Sequence, residues 1–323
     1  MLVNAVYLRD STEMSIDPFS DILRFVRAES LLTGGFTAGG RWALRFPAPD
    51  KIKFFAIIKG SCWVILEGES EPFHFATGDV GLLSAKRAFV LASHPDEPPV
   101  DAMSVFYGAG KGHAPIGSGD DFVHIGGHVL LDPASGRLLT HVLPPWIQVP
   151  AASPQAASFR WVLDQLVQEG QHVQPGSQLA TAQLAQLLFI QILRAHLQTS
   201  SALPASWLRA LSDARLAPAL QRLHGDPARN WHLDELARAC AMSRTRFAQY
   251  FRQVVGITPI AYLTAWRMRL AERTLQEENE AVAVVAQTLG YASESAFSHA
   301  FKRETGQSPN AFRRAVRLQQ AQL

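Results

Sequence analysis

The chain has 323 residues, 47% hydrophobic and 18% charged, with a formal net charge of +2. That balance excludes a disordered chain, which needs low hydrophobicity and high net charge, and the length suits about two domains of ~150 residues each. No apolar run approaches the ~20 residues of a membrane-spanning helix. The leading MLVNAVYLRDSTEMS has neither the basic flank nor the apolar centre of a signal peptide. Cys62 and Cys240 are too few for a disulfide or zinc framework. The expected setting is the reducing cytoplasm, with no membrane partner.

In chain order, a short amphipathic helix over Pro18–Arg27 comes first, with Asp17 as its N-cap. The apolar runs Lys53–Lys59, Cys62–Leu66, Val80–Leu83 and Phe89–Ala92 follow, separated by turn residues such as Gly60-Ser61, Glu67-Gly68 and Thr77-Gly78-Asp79. Short strands at this spacing predict a sandwich or barrel. After Pro144-Pro145 the texture turns helical. Phe159–Glu169 and Leu179–Leu197 carry apolar residues at helical spacing, too many for one buried face, so they pack on the β-domain or on a second subunit. A polar stretch from Gln198 to Pro204 reads as a linker, and everything from Trp207 onward reads as helix.

Charge divides the chain at the same place. From Ala205 to the C-terminus there are 16 Lys+Arg, 15 of them arginine, against 10 Asp+Glu, while the residues before it hold 14 against 18. A basic segment on an acidic body predicts a polyanion-binding module. Within that segment lies an internal repeat. At an offset of 50, Ser243, Phe247, Phe251, Gly256 and Pro259 match Ser293, Phe297, Phe301, Gly306 and Pro309. Upstream the offset is 49, pairing Ala237 with Ala286 and Cys240 with Leu289, so the second copy has one extra turn residue.

Each copy reads as helix, tight turn, helix, Gly stop and a proline-led further helix. Ser243 and Ser293 are the expected N-caps, the Phe pairs at i, i+4 the buried stripe, and the two glycines the left-handed stops. Two copies are too few for a solenoid. A helix–turn–helix places its second helix in the DNA major groove. The face opposite the Phe stripe is expected to carry Arg244, Thr245, Ala248, Gln249 and Arg252 in the first copy, and Glu294, Ser295, Ser298, His299 and Lys302 in the second. Such side chains reach base edges or phosphate, Ala248 only by apolar contact. Between the copies, Pro259–Gln276 reads as one long helix able to hold two recognition helices about one DNA turn (~34 Å) apart.

On these residues the C-terminal segment resembles the AraC/XylS family of transcription regulators. The likeness runs through Asp234-Glu-Leu-Ala-Arg-Ala-Cys-Ala-Met-Ser-Arg244, Tyr262-Leu263 and Arg267-Met-Arg-Leu270 in the first copy. It continues through Val285-Ala286, Gly290-Tyr291, Ser293–Phe297 and Phe301-Lys-Arg303 in the second. The resemblance implies two helix–turn–helix subdomains, at 232–256 and 281–306, that bind double-stranded promoter DNA. Its base-reading positions fall on Thr245, Ala248 and Gln249, and on Glu294, Ser295 and His299. RNA polymerase is the further partner it implies, with activation the expected sign.

The same family implies an N-terminal cupin-type barrel. Asp17-Pro-Phe-Ser-Asp21, Arg45-Phe-Pro47, Gly60-Ser-Cys-Trp63, Gly78-Asp79 and Leu143-Pro-Pro145 carry that likeness. Many cupins hold a catalytic metal, yet where the second cupin motif G-x5-P-x-G-x2-H-x3-N needs its histidine this chain has Phe89. Lys53 stands at the glutamate position of the first motif, and Phe46–Pro49 holds no histidine. Transition metals want imidazole or thiolate, and this set offers Phe and Lys. His124 and His128 are spaced i, i+4, but Gly-Gly between them argues against a helix. Neither a nucleophile elbow nor a phosphate loop is present.

The reading is therefore an α+β protein in three parts: a cupin-like barrel over residues 1–145, a helical connector that dimerises over 146–204, and an all-α DNA-binding domain over 205–323. It is expected to be a homodimeric regulator without cofactor, metal or catalytic residues. A small effector would sit in the barrel among Arg45, Lys53, Phe55, Ile57, Trp63 and Phe89. The alternatives are a ligand-independent regulator whose barrel only dimerises, and a cupin enzyme tethered to DNA.

Overall fold

The computed structural model describes residues 17–109, 113–117, 119–133, 135–172, 174–199, 203–277 and 280–320. The leading segment read for a signal peptide, and the middle of the 198–204 linker, lie outside the described residues. Two compact units emerge: residues 26–203 form one, and residues from 204 onward form the other together with the first helix. That helix, α1 (Pro18–Phe25), is capped as expected, with Asp17 Oδ1 accepting from Phe19 N at 3.0 Å.

The β-unit contains β1 (Glu29–Gly39), β2 (Ala43–Phe46), β3 (Ile52–Lys59), β4 (Ser61–Leu66), β5 (Phe73–Ala76), β6 (Val80–Leu83) and β7 (Phe89–Ala92). It continues through β8 (Val100–Asp101), α2 (Ala102–Ala109), β9 (His113–Gly117), β10 (Phe122–Leu130), α3 (Arg137–Thr140) and β11 (Trp146–Val149). One sheet runs β11-β6-β3-β10-β1-β9 and the other β5-β4-β7-β2-β8. Alternation on each strand sends one set of side chains between the sheets. Phe36, Leu44, Phe55, Ile57, Cys62, Val64, Phe75 and Phe122 meet there as a buried core.

Of the strands outside the four apolar runs, the longest are β1 and β10. In β1 and β10 glycines stand where side chains would be, and the backbones close up instead. A Cβ on Gly35 would lie 2.0 Å from the carbonyl oxygen of His124. β10 also decides the histidine pair: as a strand it carries His124 and His128 on one face by its period of two.

Helices α4 (Ala156–Gln171) and α5 (Ser177–Thr199) pack against each other, and α5 lies on β1 and β11. Both belong to the β-unit. The boundary expected at 145 falls just before β11, which pairs with β6 as part of the sheet, so the connector starts later than the prolines suggest. The boundary at the N-terminus also shifts. Chain order groups α1 with the barrel, but it packs on α7 (Ala217–Gly225), where buried His224 has Nδ1 3.6 Å from Asp21 and its ring 4.4 Å from that of Trp266.

The helical unit continues with α6 (Trp207–Ser212), α7, α8 (Leu233–Ala239), α9 (Arg244–Val255) and α10 (Pro259–Glu277). The second copy supplies α11 (Val282–Thr288), α12 (Glu294–Thr305) and α13 (Pro309–Gln320). No helix among the described residues is long and apolar enough to cross a membrane.

Phe36 is fully buried and touches the rings of Trp42, Phe106, Phe122 and His124. Phe36→Ala should lower the stability of the β-unit by about 3–5 kcal/mol. Calorimetry should show that transition moved down and the helical unit's transition unchanged.

Candidate nucleic-acid interface and barrel cavity

The repeat seen in the sequence is a repeat of geometry. Ser243 Oγ accepts from Arg246 N at 3.4 Å and Ser293 Oγ from Ala296 N at 3.2 Å, which starts α9 and α12 at equivalent residues. Gly256 (φ 92°) and Gly306 (φ 82°) end them in the left-handed conformation. The rings of Phe247 and Phe251 lie 5.7 Å apart, as do those of Phe297 and Phe301. The next helix meets each pair edge-on, through Tyr262 at 5.8 Å from Phe251 and Phe312 at 5.6 Å from Phe301. Tyr262 and Phe312 are themselves 50 residues apart, so the repeat extends further than the motif that revealed it.

Each preceding helix packs its own buried face on this stripe. In α8 the face is Leu236 and Ala237, in α11 Val285 and Ala286. Glu235 accepts from His232 N at 3.0 Å and from Arg229 at 2.7 Å, and the bond from His232 holds its carboxyl below the usual carboxylate range. The connecting turns match: Met242 N donates to Ala237 O and Tyr291 N to Ala286 O, both at 2.9 Å. The extra residue of the second copy, Ala292, lies beyond that shared turn, between Tyr291 and the cap Ser293.

Burying the Phe stripe determines what faces out. Arg244, Thr245, Gln249 and Arg252 are exposed on α9, as are Glu294, Ser295, His299 and Lys302 on α12. Ala248 and Ser298 are half-buried at equivalent positions. At about 100° per residue, Gln249 lies opposite the Phe pair, Thr245 and Gln253 about 40° to either side of it, and Arg252 and Arg246 about 60°. Arg246 and Gln253 are exposed and escape the motif-based reading, and so does Arg303 on α12. Helical-wheel arithmetic on the repeat is the signal that finds all three. It also shows Ala248 and Ser298 flanking the buried stripe rather than opposing it. Arg244 is held by Asp234 at 3.4 Å, both side chains more than half exposed. Tyr250 donates to Asp213, and Arg215 lies 4.2 Å over its ring, fastening α9 to the loop before α7.

In the β-unit a cavity of about 340 Å³ opens between the sheets. Phe36, Phe46, Phe55, Phe89 and Phe106 give it aromatic walls, and Lys53 and His124 are its titratable lining. Phe46 and Phe89 stack with centroids 4.8 Å apart and planes 7° from parallel. Lys53 is half-buried, and desolvation lowers its pKa. It faces His128 across the β3–β10 ladder, and burial together with Lys53 lowers that pKa too.

Of the six residues expected around an effector, Lys53, Phe55 and Phe89 line this cavity. The other three do not. Trp63 lies on the outer face of β4, its ring 4.8 Å from that of His74, because Cys62, Val64 and Leu66 take the inward positions. Arg45 is exposed on the outer face of β2, since Leu44 and Phe46 point inward. Ile57 does point inward but is sealed in the core at 0% exposure. The register of β2 and β4 is invisible to composition alone. Phe46, Phe106 and His124 are not expected in the lining for the same reason, although His124 stands out as half of a histidine pair.

The cavity's donors do not suit the metal that cupins commonly hold. Phe89 and Lys53 occupy ligand positions, and no group of three or more His, Cys, Asp or Glu able to hold an ion occurs among the described residues. Burial pushes the Cys62 thiol up to about 12 and also raises that of Cys240. Neither offers a thiolate at neutral pH.

Comparison with known proteins finds a match for each part of the chain, the first of them taking in α1 as well. Residues 17–198 match a family described as cupin, and residues 236–315 a family described as helix-turn-helix domain. The chain is 41% identical over 299 residues to a putative AraC-like transcription regulator of Streptomyces lividans, covering 93% of this chain and 98% of that protein. It is 31% identical to the HTH-type transcriptional regulator AlkR of Acinetobacter baylyi, over 85% of this chain and 91% of that one. The DNA-binding domain of AdpA, solved in complex with a target DNA, is 30% identical with a TM-score of 0.32, covering 34% of this chain and all of that one.

Gln249→Ala and His299→Ala should each relax preference at particular base pairs by about 1–3 kcal/mol. Arg252→Ala and Lys302→Ala should weaken all sequences alike and flatten the salt slope by ~0.9 for each phosphate no longer neutralised. Titrating specific and random duplexes at several salt concentrations separates the two behaviours. Uniform losses from all four variants would contradict these roles.

Proposed function

The chain belongs to the AraC-like family of DNA-binding transcription regulators, and from that premise we propose that it is a one-component, effector-responsive switch. A small organic molecule binds in the barrel cavity, and its binding changes how the helical unit engages promoter DNA. The carrying observation is a cavity of about 340 Å³ walled by aromatic rings around a single half-buried ammonium, Lys53. Small-molecule sites have this character: mostly apolar walls with few polar anchors. Lys53 is the group available to an anionic substituent of the effector. For the ligand to act as a signal it must bind one arrangement of the protein better than the other.

A second copy of the chain completes the regulator. Trp161 on α4 is 55% exposed and Leu179 on α5 is 68% exposed, large apolar groups on the helices expected to dimerise. Two copies linked in this way engage two DNA sites with an affinity that neither reaches alone. The regulator works in the cytoplasm, where promoter DNA and RNA polymerase are found. A catalytic role for the barrel is disfavoured by the donor set, in which Phe89 and Lys53 replace metal ligands.

The test has two arms. The full chain should bind its own upstream DNA in the presence of random competitor, and sediment as a dimer at micromolar concentration. A screen by thermal shift should find a compound that at ~100 times its dissociation constant adds about 2.7 kcal/mol of stability. That compound should change DNA affinity, and Lys53→Met should remove the response. A protein stabilised by no compound, yet binding DNA tightly, would reduce the barrel to a dimerisation module.

A further inference from the structure

Two recognition helices on one chain read a composite DNA site only if something sets the distance and rotation between them. Helix α10 spans 19 residues, or about 28 Å, and connects the two copies. A helix alone fixes separation but leaves each module free to roll about its end. The structure contains a further tie, at the middle of α10.

Arg267 leaves α10 there, half-buried. Its Nε donates to Pro227 O at 2.5 Å, and its Nη2 to Ala228 O at 3.2 Å and Arg229 O at 2.9 Å. Those three carbonyls are consecutive in the loop between α7 and α8, which belongs to the first module. The same guanidinium lies 5.6 Å from the ring centre of Tyr291, in the turn of the second module. Burial lowers the pKa of Arg267, and Tyr291 and Asp226 draw it back up. One planar cation therefore touches both modules and the helix between them. Lysine, a point charge, would not satisfy three carbonyls in this fixed fork.

Beside it the modules meet directly. Gly290 has φ of +78°, and a Cβ built on it would stand 1.8 Å from Ala228 O and 2.7 Å from Ala228 C. No side chain fits between the turn of the second module and the loop of the first. The equivalent residue of the first module is Ala241, also left-handed at φ 51°. The repeat thus keeps the turn conformation in both copies but requires glycine only where the copies touch.

We propose that Arg267 is a positioning residue that sets the spacing of the two recognition helices, so that preference for the distance between half-sites resides in this joint and not in α9 or α12. The proposal rests on both modules contacting DNA at once. Linking two binding modules in the right geometry raises affinity by ~10²–10⁴ over either alone, and the gain disappears where the spacing is wrong. An unbraced pair would accept several spacings, each less well.

The experiment uses the full chain and a binding site selected from random DNA by the wild type. That site is then resynthesised with one or two base pairs inserted or removed between its halves. Wild type should lose ~10-fold or more for a single base pair of mis-spacing, within the range that linkage provides. Arg267→Met should bind the parent site more weakly and the shifted sites within about 3-fold of it, while base preference inside each half-site stays as in wild type. Tyr291→Leu removes the ring and hydroxyl that meet Arg267, along with the edge-on contact with Phe297 at 5.5 Å, and leaves the three carbonyl bonds; it should flatten the spacing profile in the same direction. It also keeps the test available if Arg267→Met fails to fold.

A spacing profile in these variants as steep as wild type would overturn the proposal, however far affinity falls. So would loss of base preference within the half-sites, since Arg267 would then be supporting each helix separately. A selected site with a single half would remove the two-module premise itself, and that failure is distinct from the other two.

Discussion

What the protein shows to DNA is decided by what each recognition helix buries. Phe247 and Phe251, like Phe297 and Phe301, are at 0% exposure and one helical turn apart. Together with the edge-on contacts from Tyr262 and Phe312 they leave each helix one rotational setting. A roll by a single residue, about 100°, would carry Gln249 or His299 toward the core and bring an apolar ring to the solvent. Because Phe-to-Ala truncation in such a core costs about 3–5 kcal/mol, the setting is held firmly. The serine caps and left-handed glycines then fix where each helix starts and stops. The reading face follows from packing, with no need for the exposed residues to organise themselves.

Much of this was legible because it depends on local rules that repeat. Ser243, Gly256 and the Phe pairs each have a local signature, and a second copy 50 residues on made chance matches improbable. The β-strands with turn residues between them were legible too, with β6 and β7 found at their observed limits. Harder were the glycine-rich strands β1 and β10, where backbone closeness replaces side-chain burial and no apolar alternation remains. Hardest were relations between distant segments. That α1 packs on α7, through Asp21 beside His224, has no local signature, since its amphipathic face suits either unit equally. Trp63 and Arg45 show the same limit at finer scale. Their residue types suggested a binding pocket, but strand register turns them outward, and register is set by pairing partners β7 and β8.

The chemistry of a few positions in the barrel changes what such a scaffold is suited to hold. At the ligand positions of a metal-binding cupin, Phe89 stacks on Phe46, and Lys53 contributes a cation where an anionic donor would be needed. A positive charge repels a metal ion as firmly as a carboxylate attracts one. The same replacement makes the space suitable for an organic molecule, because aromatic faces supply contact area and the ammonium supplies one polar contact. His124 retains an imidazole in the cavity, but Phe36 stacks on it at 4.8 Å and it is 8% exposed. One enclosed imidazole does not make a coordination sphere.

The two modules share geometry but not charge, and that difference has a consequence for DNA. Helix α9 carries Arg244, Arg246 and Arg252 with no acidic residue, whereas in α12 Lys302 and Arg303 are offset by Glu294 and Glu304. Glu294 also occupies the first turn, the end at which a helix attracts anions such as phosphate. A carboxylate there interacts favourably with its own helix and repels a phosphate approaching the same amides. Non-specific attraction and its salt dependence therefore concentrate on α9. A helix with little net charge gains little from phosphate alone, and the exposed His299, Ser295 and Glu294 of α12 are side chains of kinds able to meet base edges, a carboxylate by accepting from cytosine N4. The cationic side chains are thus unequally shared, three on α9 without a carboxylate and two on α12 beside two carboxylates, although packing gives both helices the same exposed face.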